Sequence, residues 1–169
     1  MSEAFDIRPA TLEDSPAIRE IRNAAIRDSL AIWTSVEQDE EQARAWLTPQ
    51  VERGTALVAV TSTMPEETVV GFAVATPWHS YEGYARTVED SVYVLETAQG
   101  RGLGSRLLAA LLDAAREVGD RTMVAQIETG NAQSVHMHAR AGFEVVGTIP
   151  AAGEKHGELL DLTLMSLRL

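Results

Sequence analysis

The sequence predicts a mixed α/β chain built on one sheet with helices on both sides. Three observations carry that prediction. Short β-branched runs alternate with stretches of helical apolar periodicity in the order β-α-α-β-β-β-α-β-α-β-β. Glycines and polar clusters punctuate the junctions between them. The segment SVYVLETAQGRGLGSRLLAALLDAAREVG, from Ser91 to Gly119, passes from a strand into a leucine-rich helix through closely spaced glycines. At 169 residues the chain fits a single domain, residues 1–169, with room for a sizeable core.

Taken in order, Phe5 to Arg8 reads as a first strand. Thr11 or Asp14 can cap a helix whose apolar stripe is Ala17, Ile18, Ile21, Ala25 and Leu30. Glu37 to Leu47 is a second helix, acidic at its start, with Ala43, Trp46 and Leu47 inward and Gly54 ending the helical region. Leu57–Val60 and Val69–Val74 form a hairpin across the polar, Pro65-containing loop Thr61 to Thr68. The irregular stretch Pro77 to Thr87, PWHSYEGYART, is rich in aromatic and polar residues and suits a pocket wall.

Thr87 to Leu95 is the next strand, followed by the glycine turn and a helix in which Leu103, Leu107, Leu108, Leu111 and Leu112 recur at helical spacing. Burial of that stripe contributes about 7 to 15 kcal/mol gross, at about 1.5 to 3 per leucine. Gly119 suits the position just past the helix. Arg121 to Ile127 is a strand, Asn131 caps a short helix that Gly142 ends, and Phe143–Thr148 and Leu159–Leu167 supply the last two strands.

Composition narrows the function. The formal net charge of −11 at pH 7 is spread along the chain and opposes nonspecific attraction to nucleic acid or anionic lipid. With no cysteine, disulfides, thiolate nucleophiles and sulfur-bound metals are excluded. No metal is expected, since His136 and His138 fall on different sides of their helix. No long apolar run or leader-like N-terminus is present, so a cytoplasmic protein is expected.

The glycine turn is the motif with chemistry in it. At a strand-to-helix junction several backbone N–H groups are unpaired and point one way with the positive helix end behind them, which suits a phosphate. Three glycines, Gly100, Gly102 and Gly104, let the backbone approach it closely. A P-loop would need Gly-Lys-Ser/Thr, and no lysine is here. A dinucleotide fingerprint would need a third glycine where Ser105 stands. The pattern that fits is Q-x-x-G-x-G, formed by Gln99, Gly102 and Gly104 after Val-Tyr-Val. It resembles the coenzyme A pyrophosphate loop of the GNAT superfamily of N-acetyltransferases.

From Tyr84 to Asp161 the resemblance narrows. The segments Thr87-Val88-Glu89-x-Ser91-Val92-Tyr93-Val94, Asn131-x-x-Ser134-x-x-x-His138-x-x-x-Gly142-Phe143 and Ala152-Gly153-x-Lys155-His156-Gly157 are similar to the phosphinothricin and methionine sulfoximine N-acetyltransferases. The resemblance implies a GNAT fold: a mixed, mostly antiparallel sheet of about seven strands whose fourth and fifth strands splay, with acetyl-CoA in the gap. It further implies that Val92, Tyr93 and Val94 pair with the pantetheine arm and that Gly100, Arg101, Gly102, Leu103, Gly104 and Ser105 cradle the pyrophosphate beside Gln99. Asn131 would contact the pantetheine, cap its helix, or do both.

By the same resemblance Glu89 is the general base, the alternative being a solvated strand-edge glutamate. His138 would protonate the leaving thiolate, or else pack its helix and hydrogen-bond backbone. Tyr84, Arg86 and Lys155 are expected around the acceptor, with one or both cations as holders of a substrate carboxylate, the alternative for each being a surface charge or salt bridge. Trp78 and Trp33 are candidate walls. An α-amine with a pKa of about 8 costs about 1.4 kcal/mol to deprotonate at pH 7, against about 4.6 for a lysine of about 10.4, so one carboxylate suffices for the former. The acceptor implied is the α-amine of phosphinothricin, methionine sulfoximine or methionine sulfone, and the assembly implied is a homodimer. Two departures from the family pattern, Glu154 and Leu159, fall in the acceptor region. Polyamine or protein N-terminal acetylation, and a CoA-binding protein without turnover, are the alternatives.

Overall fold

The computed structural model describes residues 5–61 and 67–169. The strands are β1 (Phe5–Pro9), β2 (Ala56–Thr61), β3 (Val69–Pro77), β4 (Thr87–Val94), β5 (Thr122–Glu128), β6 (Glu144–Lys155) and β7 (Glu158–Arg168). They form one sheet in the order β1-β2-β3-β4-β5-β7-β6. Every neighbouring pair is antiparallel except β4 and β5. The helices are α1 (Ser15–Asp28), α2 (Glu40–Arg53), α3 (Leu103–Glu117) and α4 (Ala132–Arg140).

Side-chain alternation gives the sheet two buried faces. On one, Leu103, Leu107, Leu108 and Leu111 of α3 meet Ala73, Ala75, Val88, Met123 and Ala125. On the other, Ile18, Ile21 and Leu47 of α1 and α2 meet Val58, Val60, Phe72 and Val74. A central sheet covered on both sides needs such strands, apolar at nearly every position, and β2 and β3 are. Gly71 lets α3 sit close, because a Cβ there would lie 2.9 Å from Tyr93 O and 3.2 Å from Leu107 Cδ1.

Helix α2 starts at Glu40, not at Glu37, and runs on to Arg53, and two further boundaries differ from the sequence reading for reasons visible in the fold. Helix α1 stops at Asp28, short of Leu30, because Ser29 turns extended while its hydroxyl donates to Ala25 O at 2.8 Å. Strand β6 does not end at Thr148 but runs on to Lys155 through a bulge between Ile149 and Gly153. Pro150 is tolerated there because β6 is an edge strand, and the Asp161 carboxylate accepts the Ala151 N–H at 2.7 Å. The β2–β3 hairpin is closed by Thr61 N–H donating to Thr68 O at 2.9 Å, while Pro65 in its loop lies outside the described residues.

Candidate active site

The two parallel strands touch only at their beginnings. β4 pairs with β5 at Thr87↔Thr122, Val88↔Met123 and Glu89↔Val124, and no further, while β3 follows β4 all the way to Val94. Beyond Glu89 the two strands part, leaving a fork. Leu95 N–H donates back to Val70 O on β3. Backbone alternation therefore turns the Val94 N–H, and both polar groups of Val92, toward the opening. Val92, Tyr93 and Val94 are half-buried, as befits a strand with one edge uncovered.

Past the fork the chain makes its glycine turn. Gly100 and Gly102 take φ of 75° and 74°, and Gly102 is the residue from which α3 starts. Gln99 folds back so that its Nε2 donates to Val94 O at 2.9 Å, tying the turn to the strand end. Gly104 lets α4 approach, since a Cβ there would stand 3.2 Å from Met137 Sδ. Leu103 gives its side chain to the core, so only its main chain is available to a ligand. Ser105 is exposed, and the Arg101 guanidinium lies 5.4 Å over the Phe5 ring. Asn131 caps α4, accepting from Ser134 N–H at 3.1 Å.

Glu89 stands at the crotch of the fork, on the α1/α2 face. Its Oε2 accepts from Gln126 Nε2 of β5 at 2.7 Å, a bridge across the strands just where they separate. Burial raises its pKa above the ordinary carboxylate value, while the Gln126 hydrogen bond and nearby His79 oppose the rise. His79 belongs to an aromatic cluster in which its ring centroid is 4.9 Å from Tyr84 and 4.5 Å from Trp78. The Pro77–Thr87 loop thus lines the approach to Glu89.

Three sequence expectations need correcting. His138 lies on the opposite face of the sheet from Glu89, 3% exposed. Its Nε2 is 2.9 Å from Asp90 Oδ2 and its Nδ1 is 2.8 Å from Ser134 O. Both ring nitrogens are engaged, so His138 ties α4 to β4 and presents no free N–H to a thiolate. Burial by itself would lower its pKa, but the Asp90 carboxylate and the Ser134 carbonyl outweigh burial and raise it, which fits an imidazolium donating from both nitrogens.

Lys155 is buried, and its ammonium donates to the carbonyls of Ile26 (2.7 Å), Ser29 (2.6 Å) and Ile32 (2.7 Å). All three of its protons are spent on the end of α1 and the loop after it, where a cation is favoured. Arg86 points away from the fork, donating through Nη1 to Val118 O (2.9 Å) and Gly119 O (3.1 Å) at the end of α3. Neither is poised for a substrate carboxylate. The loop that Lys155 anchors also carries Trp33, whose ring lies directly against Gly153. Glu154 and Leu159 are exposed and face each other across β6 and β7.

Sequence reasoning passed over Asp90, Gln126 and His79. Asp90 had a readable signal, because it is the one acid in the alternating row Val88, Asp90, Val92, Val94. An acid in such a row needs a partner, and His138 supplies it.

The fork and the glycine turn agree with what comparison with known proteins finds. Residues 18–143 match the model of the acetyltransferase (GNAT) family. The chain belongs to that family. It is 41% identical, over 96% of its length and 94% of the relative's, to an L-methionine sulfoximine/L-methionine sulfone acetyltransferase of Pseudomonas aeruginosa. It is 32% identical to a phosphinothricin N-acetyltransferase of Streptomyces coelicolor, over 92% and 91% of the two chains. The structure of a putative acetyltransferase from Salmonella typhimurium, solved with its cofactor acetyl-CoA, superposes with a TM-score of 0.90 at 40% identity and covers 98% of this chain and 94% of that one.

The chain is therefore an acetyl-CoA-dependent N-acetyltransferase of GNAT fold. Its residues fit that co-substrate: the fork offers unpaired strand amides to the pantetheine arm, and the turn offers Cβ-free N–H groups to the diphosphate. Among the described residues no cluster of His, Asp and Glu is arranged to hold a metal, and no helix is long and apolar enough to cross a membrane.

Proposed function

We propose that the chain acetylates the α-amine of a small amino acid analogue of the methionine sulfone, methionine sulfoximine or phosphinothricin type. The observation that carries this reading is the desolvated Glu89 carboxylate, held by Gln126 at the point where β4 and β5 separate. Acetyl-CoA supplies the acetyl group activated as a thioester. Glu89 accepts a proton from the amine, directly or through water, so that the nitrogen lone pair is free to form the new C–N bond. Val94 N–H donates to the acetyl oxygen as negative charge develops on it. The C–S bond breaks as the attacking nitrogen gives up its second proton to water and the amide forms, and the thiolate, whose thiol has a pKa of about 8.5, leaves readily and takes a proton from solvent.

Val92, Tyr93 and Val94, with Gln99 through Ser105 and Asn131, hold the co-substrate, and Tyr84 lines the acceptor's entrance. We place the reaction in one domain, in the cytoplasm, where acetyl-CoA is made. The edge strand β6, with Val145, Val146 and Ile149 exposed, supports a homodimer formed by a second copy of this chain.

A thiol-release assay with acetyl-CoA tests the acceptor. Methionine sulfone, methionine sulfoximine and phosphinothricin are expected to give higher kcat/KM than spermidine or N-terminal peptides. Turnover of peptides or polyamines alone would refute the acceptor class and leave the family assignment standing.

A further inference from the structure

An amino acid acceptor whose amine has been deprotonated is an anion, and this chain already carries −11. Something cationic has to meet its carboxylate. The Arg86 and Lys155 cations that flank the acceptor region are engaged elsewhere in the fold. Arg8 is bound to Asp14, and Arg53 to Asp120. Arg22 is different.

Arg22 lies on α1 midway between Ile18 and Ile26, four residues from each, and those two are 2% and 1% exposed. Residues four apart on a helix share a ridge, so this guanidinium is carried on a row that faces the sheet. The sheet surface beneath is the α1/α2 face, the face on which Glu89 stands. Its floor is aromatic: Trp46 and Phe72 meet edge to face at 6.3 Å, and Phe72 and Tyr93 at 5.3 Å. The Arg22 guanidinium carbon sits 4.9 Å over the Trp46 ring. No hydrogen bond or ion pair joins it to any described residue.

The contact with the Trp46 ring holds the guanidinium in place without using its N–H donors. Those donors are unclaimed among the described residues. Burial lowers its pKa, with Tyr93 opposing the fall. Tyr93 reports the neighbourhood: its hydroxyl, pushed up to about 12 by desolvation, feels the charges of Arg22 and Glu89 alike.

We infer that Arg22 holds the acceptor's carboxylate by its free edge, on the same sheet face from which Glu89 takes the amine proton. The inference rests on the acceptor class proposed above. It assigns the two ends of an α-amino acid to two residues, base to amine and guanidinium to carboxylate. The contact to the carboxylate then resides in α1, outside the Pro77–Thr87 loop and the β6–β7 hairpin.

The test pairs methionine sulfone with its decarboxylated counterpart, 3-(methylsulfonyl)propylamine, and uses Arg22→Gln and Arg22→Lys. Wild type is expected to prefer the amino acid. Arg22→Gln should raise KM for methionine sulfone by about tenfold or more, with kcat changed little. KM for acetyl-CoA, and kcat/KM for the amine, should stay within about twofold. Arg22→Lys keeps the charge but loses the fork, so its KM should fall between the two and serves if the Gln variant does not fold. A merely structural Arg22 would weaken both acceptors alike, and that result overturns the inference, as does an unchanged KM for methionine sulfone. A wild-type enzyme that ignores methionine sulfone, methionine sulfoximine and phosphinothricin refutes the acceptor class, and the carboxylate anchor falls with it.

Discussion

The two halves of the proposed site are built from different materials. The co-substrate half consists of main chain: the uncovered edge of β4, the αL glycines Gly100 and Gly102, and the start of α3. The acceptor half consists of side chains whose roles depend on what folds against them. Two cations near in sequence to the expected pocket, Arg86 and Lys155, turn out to brace helix ends, while Arg22, on the Glu89 face, has no hydrogen-bonding partner among the described residues. Main-chain recognition is encoded locally and survives substitution of the surrounding residues. Side-chain recognition is decided by tertiary neighbours.

Glu89→Gln should break the contrast most sharply, because it removes an acceptor-side base without touching the main-chain slot. The expected loss is about 10²- to 10⁴-fold in kcat/KM, with acetyl-CoA affinity unchanged by calorimetry. In the wild type, kcat/KM should rise with pH through a value above the ordinary carboxylate range, since burial raises the Glu89 pKa.

His138→Gln probes the other face, where the account assigns a strut and no proton transfer. Leaving Asp90 buried without its partner costs about 3 to 5 kcal/mol, read from urea midpoints. The folded pKa of His138 lies above its unfolded value. Its contribution is therefore complete below about pH 6.5 and is lost as pH rises through the folded value. The gap between wild type and variant should narrow in alkali. Turnover by the variant while it remains folded should fall less than tenfold; a loss as large as that of Glu89→Gln would restore His138 to the chemistry.

Arg86→Gln should do least. Its guanidinium is exposed and holds only carbonyls at the end of α3. A stability change under about 1 kcal/mol is expected, with KM for methionine sulfone unmoved. A large rise in that KM would return the carboxylate to Arg86 and sharpen the contrast in the opposite sense.

What the sequence made legible follows the same division. Element order, the sheet with helices on both faces and the glycine turn were readable because periodicity and glycine spacing act over a few residues, whereas the parting of the fourth and fifth strands was implied only by the resemblance to the GNAT superfamily. Ile18, Arg22 and Ile26 show where reading stopped. The spacing of four places the arginine in a buried ridge, yet an arginine within an apolar stripe reads as its polar flank until Trp46 is seen beneath it. Lys155 likewise looked like a surface cation near a pocket, because its three carbonyl partners lie more than a hundred residues earlier in the chain. β6 looked finished at Thr148, because Pro150 forbids a regular ladder and only the partner Asp161 reveals the bulge.

The account depends above all on the fork between β4 and β5 being the slot for acetyl-CoA. Amide hydrogen exchange with and without acetyl-CoA tests that directly. The account predicts new protection at Val92 and Val94 and across Gly102 to Ser105, with Thr87 to Glu89, already paired to β5, unchanged. Exchange at Val92 and Val94 that is insensitive to saturating acetyl-CoA would contradict it.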